Sequence, residues 1–156
     1  MEWLIDGHNL IGQMADIALD DPDDEEKLLW WLRRYRARTG RRLVVVFDPG
    51  GAYHPASRRT KGGIAVQYAP AGSTADRVIR ARLRRAKNPR QLVVISSDRA
   101  VQRAARAAGA RVVEATAFAA ELTAPPPAPE PDAEPEKPLS EAEIAEWLRL
   151  FGEEEE

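Results

Sequence analysis

The chain has 156 residues, of which 44% are hydrophobic and 31% charged, with no cysteine and two histidines. This predicts one soluble globular domain with an appendage, excludes disulfides and thiolate zinc sites, and argues against a histidine-rich metal site. Neither a basic-then-apolar leader nor an apolar run of about 18 residues occurs. We therefore expect no signal peptide, no contact with a membrane and a cytoplasmic location.

The net charge of −2 hides an uneven distribution of charge along the chain. Up to Glu121 there are 21 Lys and Arg against 14 Asp and Glu, and from Leu122 onward the counts are 2 and 11. A basic body with an acidic tail indicates a polyanionic partner for the body, such as nucleic acid. The alternative, that arginine-rich helices only keep a surface solvated, accounts for the charge equally well.

The first predicted element is a strand over residues 2–6, which ends in Asp6-Gly7-His8-Asn9. Asp, Gly and Asn favour tight turns, so one interpretation of this stretch is a turn. The other is a carboxylate placed at the end of a buried strand for chemistry. His8 is a candidate proton shuttle, although a loop histidine that faces solvent is the interpretation we favour.

The rest of the body alternates strands with helices. An acidic loop over residues 20–26 leads into a helix predicted over 25–38, whose first turn favours negative charge. Two later strands contain the unbroken apolar runs 44–47 and 92–95, which are typical of a parallel sheet covered on both faces. This alternation predicts a doubly wound α/β domain. The later strands are predicted over 43–48, 64–69, 92–96 and 111–113, and the later helices over 74–87, 99–108 and 116–122.

The composition changes near Thr123. Residues 123–138 are rich in Pro and Glu without an apolar pattern, which predicts a disordered linker. Ser140 and Glu143 then form a capping-box pattern, which predicts an amphipathic helix and an acidic tail over residues 139–156. The apolar stripe of this helix needs a surface to pack on, either within the chain or on a partner. It consists of Leu139, Ile144, Trp147, Leu148 and Phe151.

Four aspartates stand out within the basic body. Between Lys27 and Val113 there are 21 basic residues and three acidic ones, which are Asp48, Asp76 and Asp98. Together with Asp6, they occupy strand ends or the first turn of a helix, and the carboxyl ends of parallel strands meet at one crevice. We therefore expect the four side chains to cluster. Each also has a local explanation as a turn or helix-capping residue, including a capping-box pattern from Ser73 to Asp76.

Clustered carboxylates indicate a metal site, because their charges repel unless a cation neutralises them. Hard oxygen ligands suit Mg²⁺ or Mn²⁺, and such an ion lowers the pKa of bound water and stabilises charge that develops on a phosphate. An acidic metal site within a basic surface is the arrangement that a nuclease needs. Dinucleotide-binding and P-loop signatures do not occur.

The stretches DGHNLIG, VVFD, STAD, SSD followed by Gln102, and GARVVEATAFAAEL resemble the YacP-like branch of the NYN domains, which are PIN-fold ribonucleases. The resemblance covers residues 2–122 and continues weakly into LSEAEI. It implies a three-layer α/β/α domain with a parallel sheet over residues 1–122, a divalent-metal site and endoribonuclease activity. The YacP-like branch is associated with cleavage of mRNA on the bacterial ribosome.

The resemblance places the acidic site on Asp6, Asp76 and Asp98, with Asp48 in support and Asn9 orienting the pocket. The chain departs from the family pattern in two ways. Arg77 and Arg80 stand where relatives continue the TAD motif with acidic residues, which weakens the case for a second metal. His8 stands where relatives often have tyrosine.

We predict a Mg²⁺- or Mn²⁺-dependent endoribonuclease that cleaves single-stranded RNA. The catalytic residues are Asp6, Asn9, Asp76 and Asp98, and the metal ligands are Asp6, Asp48, Asp76 and Asp98. Arg58, Arg59 and Lys61, in the Gly-rich stretch SRRTKGGI, are predicted as a mobile substrate clamp, with a solvated connection as the alternative. Further RNA contacts are predicted at Arg77, Arg80 and Arg99.

Three other functions stay open at this point. The first is a non-catalytic RNA- or ribosome-binding module, which Arg77 and Arg80 favour. In the second, the acidic segment after Glu121 covers the basic face as a mimic of nucleic acid. The third is an adaptor in which Trp147 and Phe151 anchor a partner.

Overall fold

The computed structural model describes residues 1–18, 20–49, 58–124 and 139–152, and of residues 58–61 only the backbone. The chain divides into two compact units, Met1–Leu122 and Thr123–Glu156. Residues 125–138 of the predicted linker and residues 153–156 of the acidic tail lie outside the described residues.

Six strands form one sheet in the first unit, in the spatial order β3-β4-β2-β1-β5-β6. All neighbouring strands are parallel except β3 and β4, which are antiparallel. The five strands that the sequence predicts are confirmed, and β3 is an addition. The strands are β1 (Glu2–Asp6), β2 (Arg42–Phe47), β3 (Arg58–Lys61), β4 (Ile64–Tyr68), β5 (Leu92–Ile95) and β6 (Arg111–Val113).

Five helices belong mainly to the first unit, and none of the helices in the described ranges is long and apolar enough to cross a membrane. A single 3₁₀ turn, Pro89–Gln91, precedes β5. The helices are α1 (Gly7–Ile11), α2 (Asp24–Thr39), α3 (Ala75–Arg85), α4 (Arg99–Ala108) and α5 (Ala115–Thr123).

Alternate residues of the central strands enter two separate apolar cores. Ile5 and Val45 belong to the core that α1, α2 and α5 share, with Phe118 from α5 at its centre. Leu4 and Val44 belong to the core that α3 and α4 cover. Because successive side chains of a strand point to opposite faces, the sheet is covered on both sides. The predicted three-layer α/β/α architecture is confirmed.

The strand β3 corrects the expectation of a mobile loop over SRRTKGGI. Arg58–Lys61 pairs antiparallel with β4, and the hairpin closes through Gly62 and Gly63, whose φ angles are 61° and 82°. Positive φ at two successive turn residues is typical of tight hairpins and favours glycine. The stretch Arg-Arg-Thr-Lys has no apolar alternation, so the sequence carries no strand signal there.

The helix α1 corrects the interpretation of Asp6-Gly7-His8-Asn9 as a turn. The chain passes directly from β1 into α1, and the side chain of Asp6 makes no capping hydrogen bond to this helix. A Cβ on Gly7 would lie 2.4 Å from Cε1 of Phe47, so only glycine allows the backbone to approach this ring so closely. The strand-to-helix junction therefore delivers Asp6 to the sheet edge.

The second unit contains one described helix, α6 (Glu141–Phe151). The predicted capping box is confirmed, since the Ser140 hydroxyl accepts from the Glu143 N–H at 3.1 Å and the Glu143 carboxylate accepts from the Ser140 N–H at 3.4 Å. Ile144, Trp147 and Leu148 of this helix are exposed.

Candidate functional site

The four aspartates singled out in the sequence lie at the carboxyl edge of the parallel sheet. Asp6 is the last residue of β1, Asp48 directly follows β2, and Asp98 precedes α4. Asp76 is in the first turn of α3. This edge is where open α/β sheets form their ligand-binding crevices.

Asp6 is the most buried of these carboxylates, with 8% of its surface exposed. Burial, with a smaller contribution from the nearby charges of Asp48 and Asp98, raises the pKa of Asp6 to about 6. The hydrogen bond from the Ser96 hydroxyl, at 3.2 Å, and the nearby backbone N–H of Asn9 partly oppose this rise. Asp6, Asp48 and Asp98 therefore interact electrostatically at one place.

Asp98 has both a structural role and a free carboxylate oxygen. Its Oδ1 accepts from the N–H groups of Ala100 at 2.8 Å and Val101 at 3.3 Å, which makes it the N-cap of α4. Its own N–H donates to the hydroxyl of Ser96 at 3.0 Å, and that hydroxyl donates to Asp6. The described residues give Oδ2 of Asp98 no hydrogen bond. Helix capping therefore occupies one carboxylate oxygen of Asp98, and the other is available to a ligand.

Asp48 joins the sheet to α3. Its Oδ1 accepts from the N–H of Ala75 at 2.9 Å, and its Oδ2 lies 3.3 Å from Nδ1 of His8. The bond to Ala75 holds the start of α3, and with it Asp76, at the carboxyl edge. Asp48 is thus a structural link between three elements as well as a half-exposed carboxylate.

Asp76 is paired with a cation of its own helix. Its Oδ1 lies 2.6 Å from Nε of Arg80, although the two groups are not aligned as a hydrogen bond. The predicted capping alternative from Ser73 to Asp76 does not form, because Thr74 is the N-cap and accepts from the N–H of Arg77 at 3.2 Å. Asp76 is therefore not used as a helix cap, and Arg80 partly neutralises it.

Asn9 connects α1 to the end of β5. Its Oδ1 accepts from the backbone N–H of Ser97 at 2.8 Å. Asn9 thereby fixes the segment that carries Ser96 and Asp98 relative to β1.

His8 belongs to a hydrogen-bonded network that the sequence does not reveal. Its Nε2 lies 2.9 Å from Oε2 of Glu25, and the hydroxyl of Tyr68 donates to Oε1 of Glu25 at 2.7 Å. Its other ring nitrogen faces Asp48, and the ring packs on Phe47 with centroids 5.2 Å apart. The hydrogen bond to Glu25 is the main cause that raises the pKa of His8. The expectation of a loop histidine facing solvent is wrong, because His8 is half-buried in α1 between two carboxylates.

The predicted RNA-binding residues divide into three groups. The side chains of Arg58, Arg59 and Lys61 lie outside the described residues. Arg77 and Arg99 are exposed at the starts of α3 and α4, next to the acidic edge. Arg80 is half-exposed and engaged by Asp76.

Comparison with known proteins decides the family. The profile of the YacP-like NYN domain matches residues 3–146 of the chain. The chain belongs to the YacP-like NYN domain family. None of the curated protein sequences matches it significantly.

Two solved structures resemble this NYN domain. The crystal structure of Rae1 (YacP) from Bacillus subtilis aligns with a TM-score of 0.64 and 26% identity, covering 78% of this chain and 73% of that one. A mutant of the same protein aligns with a TM-score of 0.65 and 27% identity, covering 78% and 74%. NYN domains are PIN-like ribonucleases, so family membership supports a hydrolase that acts on RNA.

PIN-like nucleases generally use divalent metal ions, and this NYN domain has two acidic clusters to compare with such a site. The first is the interacting set of Asp6, Asp48 and Asp98. The second is formed by His8, Asp24 and Glu25, whose candidate ligand atoms all lie within 4.8 Å of one another. Within the described part of the chain, the second cluster alone has that spacing, and no three of the strand-end aspartates Asp6, Asp48, Asp76 and Asp98 bring ligand atoms within 4.8 Å of one another.

Proposed function

We propose that this NYN domain is a divalent-metal-dependent endoribonuclease that cleaves single-stranded RNA at the carboxyl edge of its sheet. The observation that carries the proposal is the buried carboxylate of Asp6, which interacts with the charges of Asp48 and Asp98 and has a raised pKa. Such a group gains most from a neighbouring cation, because the cation compensates both the burial and the like charges.

Asp6, Asp48 and Asp98 are the residues we propose to hold the ion, with Asp76 as an additional ligand. Oxygen ligands of this kind suit Mg²⁺ or Mn²⁺, either of which activates water and stabilises charge on the scissile phosphate when bound. Asn9 keeps the two strand ends in register, and His8 keeps Asp48 in place through Glu25. Arg77 and Arg99 lie beside the acidic edge and are proposed to contact phosphates.

Cleavage of an unstructured, end-labelled RNA of about 20 nucleotides tests this function. We expect cleavage with Mg²⁺ or Mn²⁺ and none with a chelator, and we expect Asp6→Asn and Asp98→Asn to lose it. Asp16→Asn is the matched control, since Asp16 is exposed and is not part of the cluster. Full activity of Asp6→Asn would refute the assignment of the site.

A second candidate function is supported by the pair of Asp76 and Arg80. The guanidinium of Arg80 already supplies a positive charge 2.6 Å from Asp76, which suits a domain that binds RNA or the ribosome without cleaving it. This alternative predicts salt-sensitive RNA binding and no divalent-dependent product in the same assay.

The substrate that we propose is messenger RNA in the cytoplasm, including mRNA engaged by the ribosome. This rests on the resemblance to the YacP-like branch. Two measurements test this proposal: cosedimentation of the full chain with ribosomes at low salt, and the cleavage rates of the same RNA when it is free and when it is engaged by the ribosome. We expect cosedimentation and faster cleavage of the engaged RNA. Equal cleavage rates would contradict a role for the ribosome.

A further inference from the structure

The helices α3 and α4 carry a surface of one charge sign that extends well beyond the acidic edge. Between Ala75 and Ala108 the chain has ten basic residues and two acidic ones. Both acidic residues, Asp76 and Asp98, stand at the starts of these helices. The other charged residues of this stretch are all cations, one of which, Arg82, pairs with Glu2 of β1 at 2.7 Å.

Six arginines form this arginine surface, and all are exposed. On α4 they follow the spacing i, i+4, i+7, which places them in one stripe along the helix. Two of the three on α3 are seven residues apart and also share a stripe. The six are Arg77, Arg84 and Arg85 of α3 and Arg99, Arg103 and Arg106 of α4.

The two stripes lie side by side because α3 and α4 contact each other and cover the same apolar core. Val78, Ile79 and Leu83 of α3 and Val101 and Ala105 of α4 face that core. The arginines occupy the opposite, outer faces of the helices. Both helices start at the acidic edge, so the surface begins there and runs about 15 Å along the layer, the length of ten helical residues.

Two arginines of this surface, Arg85 and Arg103, donate long hydrogen bonds of 3.4 Å to carbonyl oxygens of their own helices. In the part of the chain that the structure describes, none of the six forms an ion pair with a carboxylate. Like charges three or four residues apart, such as Arg99 and Arg103, destabilise a helix. A surface that serves solubility alone mixes both charge signs. A polyanion that binds across both stripes removes the repulsion and explains their arrangement.

We propose that the arginine surface is an extended RNA-binding site that holds the strand leaving the acidic edge. The inference rests on the proposed function for the direction of the strand. Arg103 and Arg106 lie about one and two turns beyond the first residue of α4, away from the acidic edge, so we expect them to contact only RNA that is longer than the cleaved segment. RNA is favoured over an acidic protein because the surface is continuous with the acidic edge, where phosphates are proposed to bind.

RNA binding by the full chain in the presence of a chelator tests this proposal without requiring catalysis. The double variant Arg103→Gln/Arg106→Gln removes two charges and keeps helix propensity, since Gln and Arg are similar helix formers. The control is Arg38→Gln/Arg42→Gln, which removes two charges from exposed arginines in α2 and at the start of β2. Fluorescence anisotropy is recorded with oligouridine of about 4 and about 20 nucleotides, which bracket common single-strand sites.

We expect the α4 variant to bind the longer RNA about tenfold more weakly at low salt. The slope of the logarithm of its association constant against the logarithm of the salt concentration should become shallower by about 1.4, because each lost phosphate contact accounts for about 0.7. Binding of the short RNA and the behaviour of the control should change less than about twofold. If the α4 variant behaves like the control, or weakens both RNAs equally, the proposal is overturned. If the wild-type protein does not cleave RNA but the α4 variant still weakens binding of the longer RNA alone, the proposed function is overturned and the RNA-binding surface is not.

Discussion

The buried position of the Asp6 carboxyl lowers the stability of the folded protein at neutral pH. Burial raises the pKa of this carboxyl to about 6 from its usual 3.8, so ionising it costs more in the folded protein than in the unfolded chain. The wild-type protein therefore loses stability as the pH rises through this interval, from about 4 to about 6. The strand-to-helix junction at Gly7 imposes this position on the carboxylate.

We predict that Asp6→Asn stabilises the protein at pH 7 by about 2–3 kcal/mol, because the variant avoids the cost of ionising a buried group. The same variant loses cleavage activity. Chemical denaturation without divalent ions measures the gain. At pH 4 and below, where the wild-type carboxyl is protonated, the two proteins should unfold at nearly the same denaturant concentration. A gain that stays constant from pH 4 to pH 7 would contradict this explanation.

The ion pair of Asp76 and Arg80 gives a second prediction at a single side chain. Arg80→Gln frees Asp76 for a metal ion, so the divalent concentration that gives half-maximal cleavage should fall a few-fold, in line with the ~1 kcal/mol upper value of an exposed pair. Arg90→Gln, in the 3₁₀ turn before β5, removes one exposed charge outside the proposed site, so this control should leave the concentration unchanged. An unchanged requirement in Arg80→Gln would show that Asp76 is not a ligand.

Sequence patterns reveal the acidic residues but not their partners. Asp6, Asp48 and Asp98 are detectable because each stands at or shortly after the end of an apolar strand, and strand ends converge in a parallel sheet. His8, Glu25 and Tyr68 are far apart along the chain and meet only after α2 packs against the sheet. A single sequence carries no signal for that contact. The pair of Arg80 and Asp76 follows the i, i+4 spacing and is visible in the sequence.

The start of α4 combines a structural and a chemical role that substitutions can separate. Asp98 caps this helix through Oδ1, and asparagine caps about as well as aspartate. We predict that Asp98→Asn keeps the unfolding free energy within a few tenths of a kcal/mol, whereas Asp98→Ala loses about 1 kcal/mol. Both variants should lose cleavage. Thermal denaturation and the RNA assay, run on the same samples, provide the two readouts, and an active Asp98→Asn would leave Asp98 with a capping role only.

The elements differ in how well the sequence predicts them, for physical reasons. The interior strands β2 and β5 are unbroken apolar runs, because both faces of each are buried. The edge strand β3 is polar, and among the described strands it pairs with β4 alone, so its formation depends on that pairing and not on an apolar pattern in its own sequence. The five-residue helix α1 is too short for a periodic pattern, and its first residues also favour turns.

The uneven distribution of charge gives a prediction for the whole chain. Removing residues 123–156 deletes most of the acidic segment and leaves a body whose net charge is strongly positive. We predict that RNA binding by residues 1–122 is tighter than binding by the full chain at low salt, and that the difference narrows at 0.5 M salt, where the screening length is only a few ångströms. Unchanged affinity at low salt would remove the acidic segment as a competitor of RNA.

The location of a bound cation tests the account most directly. In crystals of the full chain soaked with Mn²⁺, we predict an anomalous peak bounded by Asp6, Asp48 and Asp98, at about 2.0–2.4 Å from carboxylate oxygens. A peak between His8, Asp24 and Glu25 instead, or no peak at a Mn²⁺ concentration that supports RNA cleavage, would contradict the proposal that the strand-end aspartates share the ion.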